Sequence, residues 1–362
     1  MSSPQPHVIV IGAGIIGASA AWHLVRGGAR VTILEAGAPG VLATGHSWAW
    51  INASWGNPEP YFRLRRRAMA EWRALAAAVP EIPLEWSGGL LWDLPAEKLA
   101  AYAAEHASWG YDIRLVDRAE ALRIEPALAA PPERAVHVAS EGAVDPLAAT
   151  LALLRAAQAL GAELMAPRAV LSLKRVAGRV VGVRTDAGSL TADHVVLAAG
   201  AATASLAATA DIHVPMSAPA GLLVITRPCA RILNGLVMAP ELHVRQRADG
   251  SLIAGTDFGG ADPGTEPQRV AEAIMTALRS LLTSGAEIAL DRYTVGYRPL
   301  PADGFPAIGQ PAGCPGLTIA VTHSGVTLAP ILGQAMAEEI LTGRVEPLLA
   351  PYRLDRFAAA LP

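Results

Sequence analysis

HVIVIGAGIIG, residues 7–17, is the stretch of sequence that decides the fold. Its first part, His7–Ile11, is an apolar and largely β-branched run, which predicts a buried parallel strand. Ala18–Arg26 predicts a helix, and Val31–Leu34 predicts a second buried strand that ends at Glu35. Strand, helix and strand make one βαβ unit, so the sequence predicts an α/β fold of the Rossmann type.

The glycine spacing within this stretch predicts a dinucleotide site. Gly12 permits a tight turn, Gly14 lets the backbone approach a pyrophosphate, and Gly17 lets helix and strand pack closely. The helix start offers free N–H groups to phosphates. Glu35 stands 18 residues after Gly17, where its carboxylate can accept hydrogen bonds from ribose hydroxyls and disfavours NADP. The alternative is a plain tight turn. The expected contacts are Gly12, Ala13, Gly14, Ile15, Ile16, Gly17, Glu35 and Ala36.

Length and composition limit the remaining possibilities. The 362 residues suit two domains, and 52% hydrophobic against 17% charged residues allows a substantial core. A formal net charge of −3 gives no basic excess, so we expect no nucleic-acid partner. Cys229 and Cys314 cannot form a disulfide framework and lack metal-ligand spacing, so no metal site is predicted. So few cysteines fit a reducing compartment, and we predict a cytoplasmic protein.

Two apolar regions resemble targeting or membrane segments only at first sight. Glycines interrupt the N-terminal run and no positive charge precedes it, so it does not predict a signal peptide. Prolines and glycines break residues 304–337 repeatedly, so no transmembrane segment is predicted there.

One basic cluster stands out, the arginine run Arg65, Arg66 and Arg67. It lies in Tyr61–Val79, where apolar residues recur at helical spacing. We interpret the arginine run as a solvated helix face.

The chain after Glu35 differs from that of a simple NAD dehydrogenase, because the alternation of strands and helices does not continue. Short strands are predicted at Ala169–Arg175, Arg179–Thr185 and Ser189–Ala192. His194–Leu197 predicts a further buried strand that ends in small residues.

Four motifs together resemble the FAD-dependent D-amino-acid oxidase superfamily, which includes glycine oxidase and sarcosine oxidase. They are VIVIGAGIIG (8–17) with Glu35, DHVVLAAG (193–200), YRPLPADGFPAIG (297–309) and HSGVTLAP (323–330). The resemblance implies bound FAD and a discontinuous FAD domain at 1–80, 141–211 and 296–362. It also implies a substrate domain at 81–140 and 212–295, built on a mixed, largely antiparallel sheet, with the active site between the two domains.

The same resemblance implies further FAD contacts. Val170 is expected to hold the adenine through its backbone, and Ala199 and Gly200 to pass close to the cofactor. Ser47 lies in the loop that approaches the flavin. The alternatives are an ordinary strand residue at Val170 and a hydroxyl bonded to its own backbone at Ser47.

A second strand–turn–helix site is predicted near the C-terminus. Leu317–Val321 reads as a strand, Thr322–Val326 as the turn, and Thr327–Thr342 as a helix ended by Gly343. The helix start can stabilise negative charge on the flavin pyrimidine ring, unless the motif is a tight turn without a ligand. The residues expected there are Ser324, Gly325, Val326 and Thr327.

Three side chains are candidates for the substrate. The resemblance implies that Arg298 clamps the substrate carboxylate in a two-bond geometry, and the alternative is an ion pair with a nearby acid such as Asp303. His323 directly precedes the flavin-facing turn, and the alternative is a histidine bonded to backbone. His243 lies in the predicted hairpin 236–257, where the family often has a tyrosine facing substrate; the alternative is a half-buried strand histidine. Trp48, Trp50 and Trp55 either line the cavity or pack in the core.

Noncovalent FAD is expected. Gly296 stands where sarcosine oxidases have the cysteine that links flavin. Some related dehydrogenases link flavin through a histidine that follows a tryptophan in the N-terminal loop, but here Ala49 follows Trp48 and His46 lies at another position.

The predicted reaction is oxidation of a carbon–nitrogen bond in an amino acid or small amine. Hydride passes to flavin N5 and the resulting imine hydrolyses. Oxygen or another acceptor would reoxidise the flavin. The alternatives are a dehydrogenase that passes electrons to a quinone or partner subunit, a non-catalytic flavin-bound subunit, and hydroxy-acid oxidation. Homo-oligomerisation stays open.

Overall fold

The computed structural model describes residues 5–54, 56–257 and 260–360, the last three by their backbone. The helices are α1 (Ile15–Arg26), α2 (Glu59–Ala78), α3 (Ala96–Ser108), α4 (Arg118–Ile124), α5 (Pro146–Ala159), α6 (Thr203–Ala208), α7 (Pro267–Leu281) and α8 (Gly325–Thr342). Short 3₁₀ turns occur at Gly200–Ala202, Gly285–Glu287, Pro347–Tyr352 and Leu354–Ala360.

The strands, in chain order, are β1 (His7–Ile11), β2 (Arg30–Leu34), β3 (Trp50–Ile51), β4 (Leu84–Glu85), β5 (Gly89–Leu91), β6 (Ile113–Asp117), β7 (Arg134–Val138), β8 (Gly142–Val144), β9 (Glu163–Met165), β10 (Val170–Val176), β11 (Arg179–Thr185), β12 (Gly188–Thr191), β13 (His194–Leu197), β14 (Met216–Ser217), β15 (Ala220–Thr226), β16 (Leu236–Met238), β17 (His243–Gln246), β18 (Leu252–Gly255), β19 (Leu290–Tyr297), β20 (Leu300–Pro301), β21 (Ala307–Gly309) and β22 (Leu317–Val321).

A six-stranded sheet carries both glycine motifs, in the order β21-β22-β13-β1-β2-β9. All neighbours are parallel except β21, which runs antiparallel to β22. Val8 and Val10 of β1 pack under the helices, whereas Ile9 and Ile11 face the three-stranded sheet β10-β11-β12. Apolar residues on both faces of β1 explain its unbroken hydrophobic run.

A second, eight-stranded sheet has the order β19-β15-β18-β17-β16-β5-β7-β6. Its neighbours are antiparallel except the pair β16 and β5. Its strands come from residues 89–138 and 220–297. The predicted fold, a Rossmann-type sheet with a mixed, largely antiparallel second sheet, is confirmed. The division of the chain at 80, 140, 211 and 295 stays a prediction.

Helices α1 and α8 cross closely and thereby bring the two predicted ligand motifs together. A β-carbon built on Gly333 would lie 2.2 Å from Ser19 Oγ, so only glycine allows this crossing. At the N-terminal ends, a β-carbon built on Gly325 would lie 3.5 Å from the side chain of Ile16. The two helix starts therefore stand side by side.

Both helices begin earlier than the sequence predicts. The first turn of α1 closes with a bond from Ala18 N to Gly14 O, and that of α8 with a bond from Leu328 N to Ser324 O. Residues assigned to the turns thus belong to the helices. Within the described residues, no helix is both long and apolar enough to cross a membrane.

Candidate cofactor and substrate site

The glycines of the first motif are required by backbone contact. Gly12 has a φ of +99°, and a β-carbon there would lie 2.5 Å from Ala198 O. A β-carbon on Gly17 would lie 1.9 Å from Gly12 O. Real β-carbons do not approach so closely, so any other residue would force the strand, the turn and the helix apart.

The Glu35 carboxylate is fixed at the end of β2 by two backbone donors. Ala13 N donates to it at 2.8 Å and Gly37 N at 2.9 Å, so Ala36 lies in a turn that this side chain closes. A carboxylate has about four acceptor positions, which leaves capacity for ribose hydroxyls. The structure therefore holds Glu35 as the predicted contact requires.

Thr44 is a site residue that the sequence reasoning missed. Its Oγ1 accepts a hydrogen bond from Ile15 N at 3.1 Å and caps α1, whose N-cap residue Gly14 has no side chain. A hydroxyl that accepts this bond keeps its proton to donate, which suits a phosphate oxygen. The only local signal was a small hydroxyl residue in the loop after Glu35.

The adenine-side candidates lie close to Glu35. Arg168 N donates to Glu35 O at 2.6 Å, which brings the start of β10 and the half-buried Val170 beside it. Gly200 has a φ of +55°, and a β-carbon there would meet nothing within 4 Å, so this turn faces open space. Ala199 contacts Gly12 across the turn. The roles of these residues toward FAD stay predictions.

Ser47 is bonded to its own loop, because its Oγ accepts from Ala49 N at 3.0 Å. This is the geometry of the alternative that the sequence left open. The hydroxyl proton is still available to a ligand, so its approach to the flavin stays a prediction.

The start of α8 offers a row of free donors. Among the described residues, the N–H groups of Gly325, Val326 and Thr327 have no acceptor, as expected of a first helical turn. Ser324 N bonds to Thr322 Oγ1 at 3.2 Å, and Thr327 Oγ1 donates to Trp50 O at 2.9 Å. These two bonds fix the turn, and the role of its donors toward FAD stays a prediction.

The interpretation of the arginine run as a solvated face is wrong for Arg65. Arg66 and Arg67 are exposed, but Arg65 is only 5% exposed and its Nη1 donates to Ser324 Oγ at 2.6 Å. A signal was present in the sequence: Arg65 falls on the same helical stripe as the buried Tyr61, Ala68, Trp72 and Leu75.

Arg298 lies in the site with unused hydrogen-bonding capacity. Its Nη2 donates to Ala220 O at 3.3 Å, and its Nη1 lies 3.7 Å from Asp257 Oδ1. Its Nε is buried and has no partner among the described residues. Asp303 is not the acid that pairs with Arg298, because it binds Arg356 at 2.6 and 3.0 Å; the acid within ion-pair distance of Arg298 is Asp257.

His323 is held neutral by its surroundings. His323 is exposed to solvent by surface area, although protein atoms crowd around it. Burial, reinforced by the cationic Arg298 and Arg65, lowers its pKa to about 4, although Asp257 opposes the shift. The structure thus brings Arg298, His323 and the start of α8 into one electrostatic environment.

His243 lies deeper, among different neighbours. It is 3% exposed, its Nε2 is 2.9 Å from Asp93 Oδ2, and its ring lies 5.9 Å from that of Trp48. Its role toward substrate stays a prediction. Trp48 and Trp50 are buried and their rings meet edge to face, whereas Trp55 lies outside the described residues.

Gly296 leaves no room for a linking side chain. A β-carbon at this position would lie 2.6 Å from the β-carbon of His46, and 3.4 Å from its main-chain oxygen. A cysteine at this position would therefore require the His46 loop to move.

These features fit FAD: two adjacent helix starts with free donors, glycines that admit no β-carbon, and an acid fixed beside the first motif. Fold and site define an α/β dinucleotide-binding protein with an added antiparallel domain. Residues 7–339 match the family described as DAO, FAD dependent oxidoreductase. The chain belongs to this family of FAD-dependent oxidoreductases, and the predictions of family and of an FAD-dependent enzyme are confirmed.

Individual relatives cover nearly the whole chain. It is 30% identical over 367 residues to a glycine oxidase of Pseudomonas aeruginosa, across 95% of this chain and 97% of that protein. It is 27% identical over 401 residues to the hydrogen cyanide synthase subunit HcnC of the same organism, across 97% and 96%. The crystal structure of glycine oxidase from Geobacillus kaustophilus, 24% identical, shares the fold with a TM-score of 0.88 over 97% and 99% of the two chains. The glycine oxidase relative supports FAD-dependent oxidation of an amino acid or amine.

Proposed function

We propose that this protein oxidises the carbon–nitrogen bond of a carboxylate-bearing amine, of the glycine or D-amino-acid type, with noncovalently bound FAD. The observation that carries the proposal is Arg298. Its buried Nε has no partner among the described residues, and the nearest acid, Asp257, is 3.7 Å away and half exposed. A guanidinium left in this state matches an incoming carboxylate.

The protein's share of the reaction is binding and orientation. Bound FAD supplies the hydride acceptor. Arg298 anchors the substrate carboxylate and thereby fixes the position of the neighbouring α-carbon. The substrate is then held in one orientation for the reaction. Neutral His323 has a ring nitrogen that can accept a hydrogen bond from the amine, because its pKa of about 4 keeps it unprotonated at neutral pH. The donors at the start of α8 would hold the flavin pyrimidine oxygen.

The test is anaerobic mixing of the purified yellow protein with a panel of D- and L-amino acids, N-methyl amino acids and plain amines. Loss of flavin absorbance near 450 nm identifies a substrate. We expect bleaching by carboxylate-bearing amines. Bleaching by plain amines alone, or by hydroxy acids alone, would contradict the proposed substrate class.

Arg298→Met tests the clamp. Removing the guanidinium should raise the half-saturating concentration of a carboxylate substrate about 10²- to 10³-fold, since it leaves the anion unpaired. Arg292→Met is a matched control, because Arg292 is an exposed arginine of β19, the strand that ends directly before Arg298. Equal affinity in both variants would show that Arg298 does not bind substrate.

A dehydrogenase that passes electrons to a partner subunit is the second candidate. The specific support is the relative HcnC, which is a subunit of a larger enzyme and aligns over 97% of this chain. Stoichiometric peroxide under air indicates an oxidase. Turnover only with a quinone or dye acceptor indicates a dehydrogenase.

Noncovalent attachment has a direct test. Acid precipitation should release all flavin into the supernatant, because the backbone at Gly296 contacts His46 and admits no linking side chain. Flavin that stays with the precipitated protein, with a matching mass increase, would contradict noncovalent binding.

A further inference from the structure

Arg65 is a buried cation whose charge is not neutralised by any acid in the part of the chain that the structure describes. Among the described residues, its Nε donates to Asn52 O at 3.0 Å, its Nη2 to Asn52 Oδ1 at 2.8 Å, and its Nη1 to Ser324 Oγ at 2.6 Å and Tyr61 Oη at 3.4 Å. Every one of these acceptors is a neutral oxygen. A charge is costly to bury, and neutral partners satisfy its hydrogen bonds without cancelling its field.

Asn52 fixes the guanidinium in place. It is 4% exposed and follows β3, a strand that is held from both sides. On one side Thr327 Oγ1 donates to Trp50 O. On the other, the buried Glu141 accepts from Trp50 Nε1 at 2.9 Å and from Ser54 Oγ at 2.6 Å. Asn52 therefore presents two oxygens to Arg65 from a rigid segment.

The buried charge stands at the start of α8, which is itself positive. Ser324 is the N-cap residue of α8, and Arg65 bonds to its hydroxyl. A positive side chain beside the partly positive N-terminus of a helix is unfavourable unless an anion binds next to both. Arg65 and the N-terminus of α8 together favour a negative charge close to the N–H groups of Gly325, Val326 and Thr327.

We propose that Arg65 is a positioning residue of the flavin site: it holds the start of α8 through Ser324 and adds its charge to that helix end, so that the pair stabilises the negative charge of reduced flavin. This proposal rests on the proposed function only in requiring that FAD binds with its pyrimidine ring at α8. It assigns a role to one member of the arginine run and none to Arg66 or Arg67.

Sulfite is the probe, because its sulfur lone pair forms a bond to flavin N5 and leaves negative charge on the pyrimidine ring. The measurement is the dissociation constant of sulfite, read from bleaching near 450 nm in FAD-loaded protein. The flavin midpoint potential against a reference dye is a second measurement. Neither requires turnover of a substrate.

Two variants remove the effect of the Arg65 positive charge, one by deletion and one by neutralisation. Arg65→Met deletes the guanidinium. Asn52→Asp keeps the guanidinium and its contacts but places a carboxylate against it, so it remains informative if Arg65→Met does not fold. Each should raise the sulfite dissociation constant by on the order of tenfold or more, and lower the midpoint potential. Arg66→Met is the matched control one residue along α2, and its sulfite affinity should stay within about twofold of the wild type.

The outcomes separate this proposal from the proposed function. A wild-type protein that binds no FAD defeats the proposed function itself. If the wild type holds FAD but forms no sulfite adduct, the role of Arg65 is overturned. The same holds if Asn52→Asp retains FAD and binds sulfite as the wild type does. Weaker sulfite binding in Asn52→Asp, with Arg66→Met unchanged, supports it.

Discussion

The indole nitrogen of Trp72 donates to the main-chain oxygen of Val326 at 3.0 Å. Val326 is four residues before Pro330, which has no N–H to give to that oxygen in α8. The proline is the sixth residue of the helix rather than part of its first turn, so its missing donor matters. Trp72 supplies the bond from α2 and thereby ties α2 to the first turn of α8.

Trp72→Phe should therefore destabilise the protein beyond the loss of ring area. The substitution leaves the buried oxygen of Val326 without a donor, which costs about 1–3 kcal/mol. The measurement is the free energy of unfolding in urea. Trp109→Phe, which also trims an indole packed on Phe62 beside α2, is the control. Equal losses in the two variants would show that the hydrogen bond contributes nothing.

Gly17→Ala should abolish FAD binding. Its β-carbon would lie 1.9 Å from Gly12 O, so α1 would have to move away from the turn that is predicted to receive the pyrophosphate. The flavin content of the purified variant, from the ratio of absorbance near 450 and 280 nm, should fall to the background. Gly37→Ala, where a β-carbon meets nothing within 4 Å, should retain its flavin. A yellow Gly17→Ala protein would contradict the backbone contact.

Stability should fall in mild acid, partly through His194. Its Nε2 is 2.8 Å from Thr318 Oγ1, and burial together with the nearby Arg179 lowers its pKa to about 4. The unfolded chain, with a histidine pKa of about 6.5, binds the proton more readily. The contribution is therefore complete above about pH 6.5 and is lost as the pH falls toward 4.

His194→Gln should flatten this dependence. Glutamine can still bond to Thr318 but does not titrate, so the slope of unfolding free energy between pH 6.5 and 4 should drop by up to about 1.4 kcal/mol per pH unit. His213→Gln, at an exposed position, is the control. An unaltered slope in His194→Gln would contradict a neutral buried ring.

Glu141→Gln should be strongly destabilising although it is nearly isosteric. The carboxylate is 0% exposed and accepts from Trp50 Nε1, Ser54 Oγ and N, and Tyr111 Oη at 2.6 Å. Burial raises the pKa of this carboxyl, while these donors oppose the shift. In Glu141→Gln the side-chain NH₂ group would point at hydrogen-bond donors and leave some of them without an acceptor. This should lower the free energy of unfolding by about 2–4 kcal/mol. The midpoint of urea unfolding measures the loss.

The exposed Glu133→Gln serves as the reference for that experiment. Because Glu141 holds Trp50 and Ser54, on either side of Asn52, Glu141→Gln should also weaken sulfite binding as Asn52→Asp does. An unchanged midpoint in Glu141→Gln would show that the four donors do not need an anion.

The sequence by itself determined the elements with strong local signals. Arg179–Thr185, His194–Leu197 and Leu317–Val321 were predicted with the bounds that the structure has. Glycine is required at positions 12 and 17 by the backbone geometry of a single βαβ unit. Because this unit is local in sequence, the glycine spacing is enough to predict it.

Only the tertiary structure decided which polar side chains belong to the site. Arg65 and Ser324 are 259 residues apart, and Trp72 and Val326 are 254 apart. Arg298 faces Asp257 rather than the nearby Asp303 because Arg356, from the C-terminal segment, takes that acid. Helical spacing shows that a side chain lies on a buried stripe, but what it meets there depends on how helices and strands pack, which short-range sequence patterns do not encode.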